Sequence, residues 1–207
     1  MNKHKDLIVI GAGGHGRVVA DIAARTGDYQ AIAFLDDIEP PQTFPYLYLG
    51  KCDTAEKYLD AYDIVVAIGN GEVRQKIMLS LAEHGAGFAT IIAPDAIVAA
   101  DVRIGVGSVV CPGAVVNTGT VIGQGVIINT ASSVDHDCKI DDFCHVAVGA
   151  RICGTVSVGE RSWIGAGATV INNVTVCSGC MIGAGAVVVN DIETDGTYFG
   201  VPARRKK

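Results

Sequence analysis

At 207 residues the chain has room for one large domain or two small ones with real cores. Its formal charge of −6, with basic residues clustered only in the tail Arg204, Arg205, Lys206 and Lys207, argues against a general nucleic-acid role, because neutralising phosphates takes clustered Lys and Arg. No apolar run approaches the about 20 residues of a membrane span, and seven cysteines, an odd number with no small secreted framework around them, fit a reduced, cytoplasmic chain better than a disulfide scaffold.

The start, "MNKHKDLIVIGAGGHG", has basic residues before a short apolar run that breaks at glycines, so it reads as a buried strand rather than a leader peptide. The strand enters G-x-G-x-x-G at Gly11, Gly13 and Gly16. A helical pattern follows, "RVVADIAARTG", with Gly27 as its C-cap. Next comes "AIAFLDD", a second strand that ends in Asp36 and Asp37, about twenty residues past the last glycine, as in the dinucleotide fingerprint. "PPQTFP" is a loop. "DIVVAIGNGEVR" reads as a further strand, a turn and a helix running to about Gly85. "GFATII" is a short strand leading out of this region, and the boundary near Ala93–Pro94 divides the chain into 1–92 and 93–207.

The glycine loop can present backbone N–H groups and a helix N-terminus to a pyrophosphate. The acidic pair can accept hydrogen bonds from a ribose or a base. NAD is the first reading of such a loop. The unit is only about half of a full dinucleotide fold, however, and no hydride-transfer domain follows it. His15 sits inside the loop, where a cation or donor meets phosphate. A nucleotide-linked ligand other than NAD fits better. The plain alternative is a tight strand-to-helix turn with no ligand.

From Ile92 to Val188 every sixth residue is Ile or Val, and four positions after each comes a small or modest side chain such as Ala96, Ser108, Ala114, Ser132 or Ala150. A fixed period over this length means a solenoid, and helical periodicity fails over the same span. A hexad suits a parallel β-helix: the Ile or Val points inward and the small residue fits the corner. Cys138, Cys144 and Cys180 stand at the small position and read as core filler.

Within that pattern "TASSVDHDCKI" places Val134 and Cys138 inside and Asp135, His136 and Asp137 outside. His136 suits proton abstraction near neutral pH, and a neighbouring carboxylate fixes its tautomer. The same letters also describe a solvated polar corner. His145 falls on a different face of the coil. A metal is disfavoured, since the solenoid has only these two histidines and zinc takes three or four ligands. The segments "IGAGA" at 164–168 and 182–186 offer either a groove floor for an extended ligand or simply small corners.

The hexads resemble those of left-handed β-helix acyltransferases, in which three hexads make one triangular coil. The resemblance extends to "IGAGGHG", "FLDD", "AIGNGEVR", "INTASSVDHDC", "HVAVGA", "WIGAGA" and "GVPARR". The chain is similar to the sugar O/N-acyltransferases related to sialic acid O-acetyltransferases, closest to the subgroup that N-acetylates UDP-4-amino-4,6-dideoxy sugars, as in bacillosamine synthesis.

That resemblance implies a fold and a chemistry. The fold is a small Rossmann-like α/β domain followed by a left-handed parallel β-helix, trimeric, with active sites between subunits. The co-substrate is acetyl-CoA, with no metal. His136 is the general base that takes a proton from the sugar amine as it attacks the thioester directly, and Asp137 raises its basicity. A backbone N–H stabilises the oxyanion. The subgroup commonly has Glu where this chain has Asp137, and Asp135 stands where relatives carry a second acid. Gly13, Gly14, His15, Asp36 and Asp37 hold the nucleotide sugar, with Gly69 and Asn70 lining the same pocket. His145 and the backbone at Gly154, Ala166 and Ala184 contact acetyl-CoA, and the basic tail faces the CoA phosphates. The rivals are O-acetylation of a sialic acid, N-acetylation of GDP-perosamine and a non-enzymatic, nucleotide-sensing scaffold.

Overall fold

The structure is a computed structural model that describes residues 6–206, so the basic start of the chain and Lys207 of the tail lie outside the described residues. The first unit is a parallel four-stranded sheet in the order β3-β2-β1-β4, with β1 at Asp6–Ile10, β2 at Ile32–Leu35, β3 at Leu47–Gly50 and β4 at Tyr62–Val66. The run Leu7–Ile10 is fully buried, as expected of a parallel strand covered on both faces. One face packs Leu7, Val9, Phe34 and Val65 against Val19, Ala20 and Ile22 of helix α1, Gly14–Thr26. The other packs Ile8, Ile10 and Ile64 against Met78 and Leu81 of helix α2, Gly71–Glu83.

Local chemistry sets the ends of α1. Gly27 adopts the left-handed cap at φ 76°. Gly16 lies so close to the Gly11 carbonyl that any Cβ would collide with it, which brings the helix onto the strand. Beyond α2, Phe88 bridges in parallel to Ile64, and the chain then enters the solenoid at Ile91–Ile92.

The solenoid is a left-handed β-helix of two-residue strands on three faces. The first face begins at Ile91–Ile92 and continues through Val109–Val110, Ile127–Ile128, His145–Val146 and Trp163–Ile164. The second runs from Ile97–Val98 to Val187–Val188, and the third from Arg103–Ile104 to Thr175–Val176. Each strand pairs in parallel with the one a coil later, as Ser133 with Arg151, so residues 18 apart stack. The expected hexad phase holds: Val110, Val116, Val134, Ile152 and Ile164 are fully or almost fully buried, as are the small residues Ala114, Ser132 and Ala150. The buried hydroxyls of Ser108, Thr120, Ser132 and Ser162 each donate to a backbone carbonyl.

From Gly107 to Gly185 the residue before every small position turns left-handed, as glycine at eight of these corners and as Ala131, Asp137, Phe143, Thr155, Arg161 and Asn173 at the other six, with Asp137 at φ 56° and Phe143 at φ 59°. Ile92 departs from the pattern. It holds an inward position yet is 37% exposed, because no earlier coil stacks beneath it. The two units share their cores: Val109 and Cys111 complete the cluster under α1, and Phe143 completes the one under α2.

Candidate active site

The corner after Ser133–Val134 carries Asp135, His136 and Asp137 outward between the second and third faces. The left-handed turn at Asp137, a conformation Asp tolerates better than most residues, swings its carboxylate beside the ring, with Oδ2 2.9 Å from His136 Nδ1. Nδ1 then carries the proton and donates to Asp137, so the lone pair at Nε2 is open. The Asp137 hydrogen bond raises the His136 pKa above its ordinary value, partial desolvation opposes it, and the Asp135 and Asp137 charges add to the rise. Asp135 faces the other way: its Oδ1 accepts from Asn117 Nδ2 and from the His136 backbone N–H, and these bonds hold its carboxyl below the usual range.

Neighbouring coils shape this corner. Gly154 lies one coil after His136, and a Cβ there would come within 2.6 Å of Cε1 and Nε2 of the ring. Gly119, one coil before Asp137, would collide with the Asp137 carboxylate if it carried a side chain. Asn117, one coil before Asp135, fixes that acid.

The glycine loop is placed elsewhere. Gly13 caps α1 without a side-chain bond, and Gly13 and Gly14 face open space. A cavity of about 390 Å³ opens beside Gly13, lined by Arg17, Asp36, Glu39, Thr43 and Phe44 among others. The structure splits the acidic pair. Asp36 lines the cavity and accepts from the N–H groups of Ala12 and Ile38, whereas Asp37 turns to the Cys52 N–H at the start of a 3-10 helix, Cys52–Tyr58. A second notch lies between Gly14, Arg17 and Val18 on one side and Pro112 and Thr130 on the other.

His15 does not present a cation. Its pKa is lowered to about 4, first by burial and then by the Arg74 guanidinium, so the ring is neutral at pH 7. It faces His145 with ring centroids 6.3 Å apart; among the described residues His15 Nε2 is buried without a hydrogen-bond partner, and His145 Nδ1 is buried with no more than a weak backbone contact at Gly69. His145 packs against Trp163 at 4.1 Å. Asn129 Oδ1 accepts from Thr130 N, so its Nδ2 must donate to His145 Nε2 at 3.0 Å, leaving the His145 proton on Nδ1. Burial, His15 and Arg74, in that order, push the His145 pKa down to about 3. His145 therefore sits inside the contact between the two units, on the first face, away from the corner of His136.

Gly69 and Asn70 do not line the cavity beside Gly13. Gly69 packs under Trp163 and His145, and Asn70 caps α2 by accepting from Val73 N while facing a separate cleft with Arg161, Trp163 and Met181. The residue missed in the sequence is Arg74. Its fully buried guanidinium donates to the carbonyls of Ile68 and Gly69 in the first unit and to those of Gly125, Phe143 and Cys144 in the solenoid. Burial lowers its pKa to about 10, still charged at neutral pH.

Ala166 and Ala184 stand exposed and stacked at the corner between the first and second faces, in the same column as Pro112 and Thr130. Among the described residues no group of three or more His, Cys, Asp or Glu side chains is arranged to hold a metal ion, and no helix is long and apolar enough to cross a membrane.

Residues 6–81 match the PglD N-terminal domain family and residues 155–190 the bacterial transferase hexapeptide family. The acetyltransferase domain of PglB from Neisseria gonorrhoeae FA1090, solved in complex with acetyl coenzyme A, is 43% identical with a TM-score of 0.94, over 98% of this chain and 99% of that one. GDP-perosamine N-acetyltransferase of Escherichia coli O157:H7 is 32% identical over 76% of this chain and 74% of its own length. UDP-N-acetylbacillosamine N-acetyltransferase of Bacillus subtilis strain 168 is 31% identical over 51% of this chain and 50% of its own.

Proposed function

The chain belongs to the sugar N-acetyltransferases that join a PglD-type N-terminal domain to hexapeptide repeats, and we propose that it acetylates the 4-amino group of a UDP-linked amino-dideoxy sugar with acetyl-CoA. The observation that carries this reading is the His136–Asp137 pair, held against Gly154 with Nε2 open.

In this mechanism the sugar amine attacks the thioester carbonyl. A C–N bond forms, the C–S bond breaks, and His136 Nε2 takes the amine proton. Asp137, bonded to Nδ1, stabilises the imidazolium that results. The CoA thiolate leaves and is protonated by the imidazolium or solvent. No acyl-enzyme is required, in keeping with the burial of Cys138 and Cys144.

The nucleotide sits in the cavity beside Gly13, where the N-terminus of α1 and Arg17 favour a diphosphate. The motif resemblance in the sequence points to a UDP sugar, while the longer match to GDP-perosamine N-acetyltransferase keeps a GDP sugar as the second reading. The column of Ala166 and Ala184 fits an extended chain bearing amides, since small side chains leave the backbone approachable, and Arg204 and Arg205 lie exposed for its phosphates. The glycine loop shares its corner with Thr130 and the alanine column, while His136 stands on another corner. A full site thus draws the base from a neighbouring copy, which supports a homotrimer with sites between subunits.

The test is CoA release with a panel of UDP-, GDP- and CMP-linked 4-amino sugars. Turnover confined to the UDP member is expected. A GDP preference overturns the nucleotide assignment, and no release with any amino sugar overturns the activity.

A further inference from the structure

Two thiols outside the transfer chemistry touch each other. Cys177 and Cys180 bracket the corner Cys177–Ser178–Gly179–Cys180, with their Sγ atoms 3.5 Å apart. Cys138 and Cys144, by contrast, direct their sulfurs at the carbonyls of Cys153 and Gly159. Cys177 is partly exposed and Cys180 is buried.

The corner is held from one coil below. Ser162 Oγ donates to the Cys177 carbonyl and accepts from the Cys180 N–H, both at 3.0 Å, so one hydroxyl pins the two cysteine backbones. Gly179 takes the left-handed conformation at φ 72° that closes the turn. A four-residue turn brings its end Cα atoms within about 7 Å, and a disulfide spans about 4.4–6.8 Å between Cα atoms. Small side-chain rotations then suffice to join the sulfurs.

We propose that Cys177 and Cys180 form a reversible oxidation site that closes to an intrachain disulfide when the protein meets a low-molecular-weight disulfide. The Cys177 thiolate attacks one sulfur of oxidised glutathione and expels a glutathione thiolate. Cys180, once deprotonated, attacks the Cys177 sulfur of the mixed disulfide and expels the second. The two cysteines lose two electrons and two protons, and one oxidised glutathione becomes two reduced ones. Entry at Cys177 follows from its exposure. Resolution is the slow step, because burial raises the Cys180 thiol above its ordinary value and keeps its thiolate scarce. Cys180 also lines the cleft with Asn70, Trp163 and Met181, so closure acts on the wall of that cleft.

The experiment is intact-mass analysis and peptide mapping of the full, reduced protein after exposure to oxidised glutathione at several pH values. The expected result is a loss of about 2 Da mapped to a Cys177–Cys180 link, reversed by dithiothreitol. Closure should accelerate by roughly tenfold per pH unit between pH 7 and 9, as the Cys180 thiolate fraction rises. Cys177→Ser should remove the link. A stable gain of about 305 Da at Cys177 without closure, no change in mass, or a link to another cysteine each overturns the proposal.

Discussion

The imidazole of His136 rests over Gly154, one coil further along, where a Cβ would stand 2.6 Å from both Cε1 and Nε2. Gly154 has no left-handed backbone that demands glycine, so the ring itself accounts for the missing side chain. Gly154→Ala should leave the coil intact and tilt the imidazole. We expect kcat/KM for acetyl transfer to fall about 100-fold, the scale of a 1 Å misplacement, with thermal melting within a few degrees of the parent. Unchanged kcat/KM would show that the ring moves freely.

His136→Ala should lower kcat by about 10²- to 10⁴-fold, the usual contribution of a positioned base. The affinity for the nucleotide sugar, measured by calorimetry, should stay near that of the parent, because the cavity beside Gly13 lies on another corner. Normal turnover in this variant would remove His136 from the chemistry.

Asp137 acts through His136, so its replacement should appear in a pH profile. The Asp137 hydrogen bond raises the His136 pKa, and the base works only when deprotonated. kcat/KM therefore falls as pH drops through that raised value. In Asp137→Asn the acid limb should move to lower pH, with roughly tenfold less activity at the plateau because the imidazolium loses its counter-charge. A limb that stays in place would mean that another group titrates there.

His15 and His145 should make stability depend on pH. Their pKa values, about 4 and about 3 in the folded chain, lie below the ordinary histidine value of 6.5. The unfolded chain binds more protons between these limits, so stability present above about pH 6.5 is lost as pH falls toward 4. Urea unfolding at pH 6.5 and 5 should differ by about 1–2 kcal/mol per histidine, and His145→Phe should remove about half of that dependence. Equal slopes in parent and variant would show that His145 does not contribute.

Arg74 fastens the units with five bonds to carbonyls and, among the described residues, no carboxylate. Arg74→Met leaves those carbonyls unpaired in a dry contact and should cost about 3 kcal/mol or more by urea titration. Arg74→Lys keeps the charge with fewer donors and should fall between the two.

The coil arithmetic made part of the site legible in the sequence. Adding or subtracting one coil from Asp135, His136 and Asp137 leads to Asn117, Gly154 and Gly119, the residues that fix the acid and cradle the dyad. Gly154, an expected contact of the CoA chain, also lies against the His136 ring. The separation of Asp36 from Asp37 was not legible, because both stand at the end of one strand and only the 3-10 helix decides which one turns outward. Arg74 was hidden for a related reason: its acceptors are backbone carbonyls, which every residue carries.

The sequence by itself determined the hexad phase, the buried and exposed letters of each coil, and the glycine turn onto α1. These follow from local steric rules that repeat at a fixed pitch. Only the tertiary structure decided that the glycine loop meets the Pro112–Thr130 corner, how Arg74 joins the two units, and that the half-buried His15 and the buried His145 face each other as neutral rings. Those outcomes depend on surfaces far apart in the chain meeting and excluding water, and no local pattern encodes that contact.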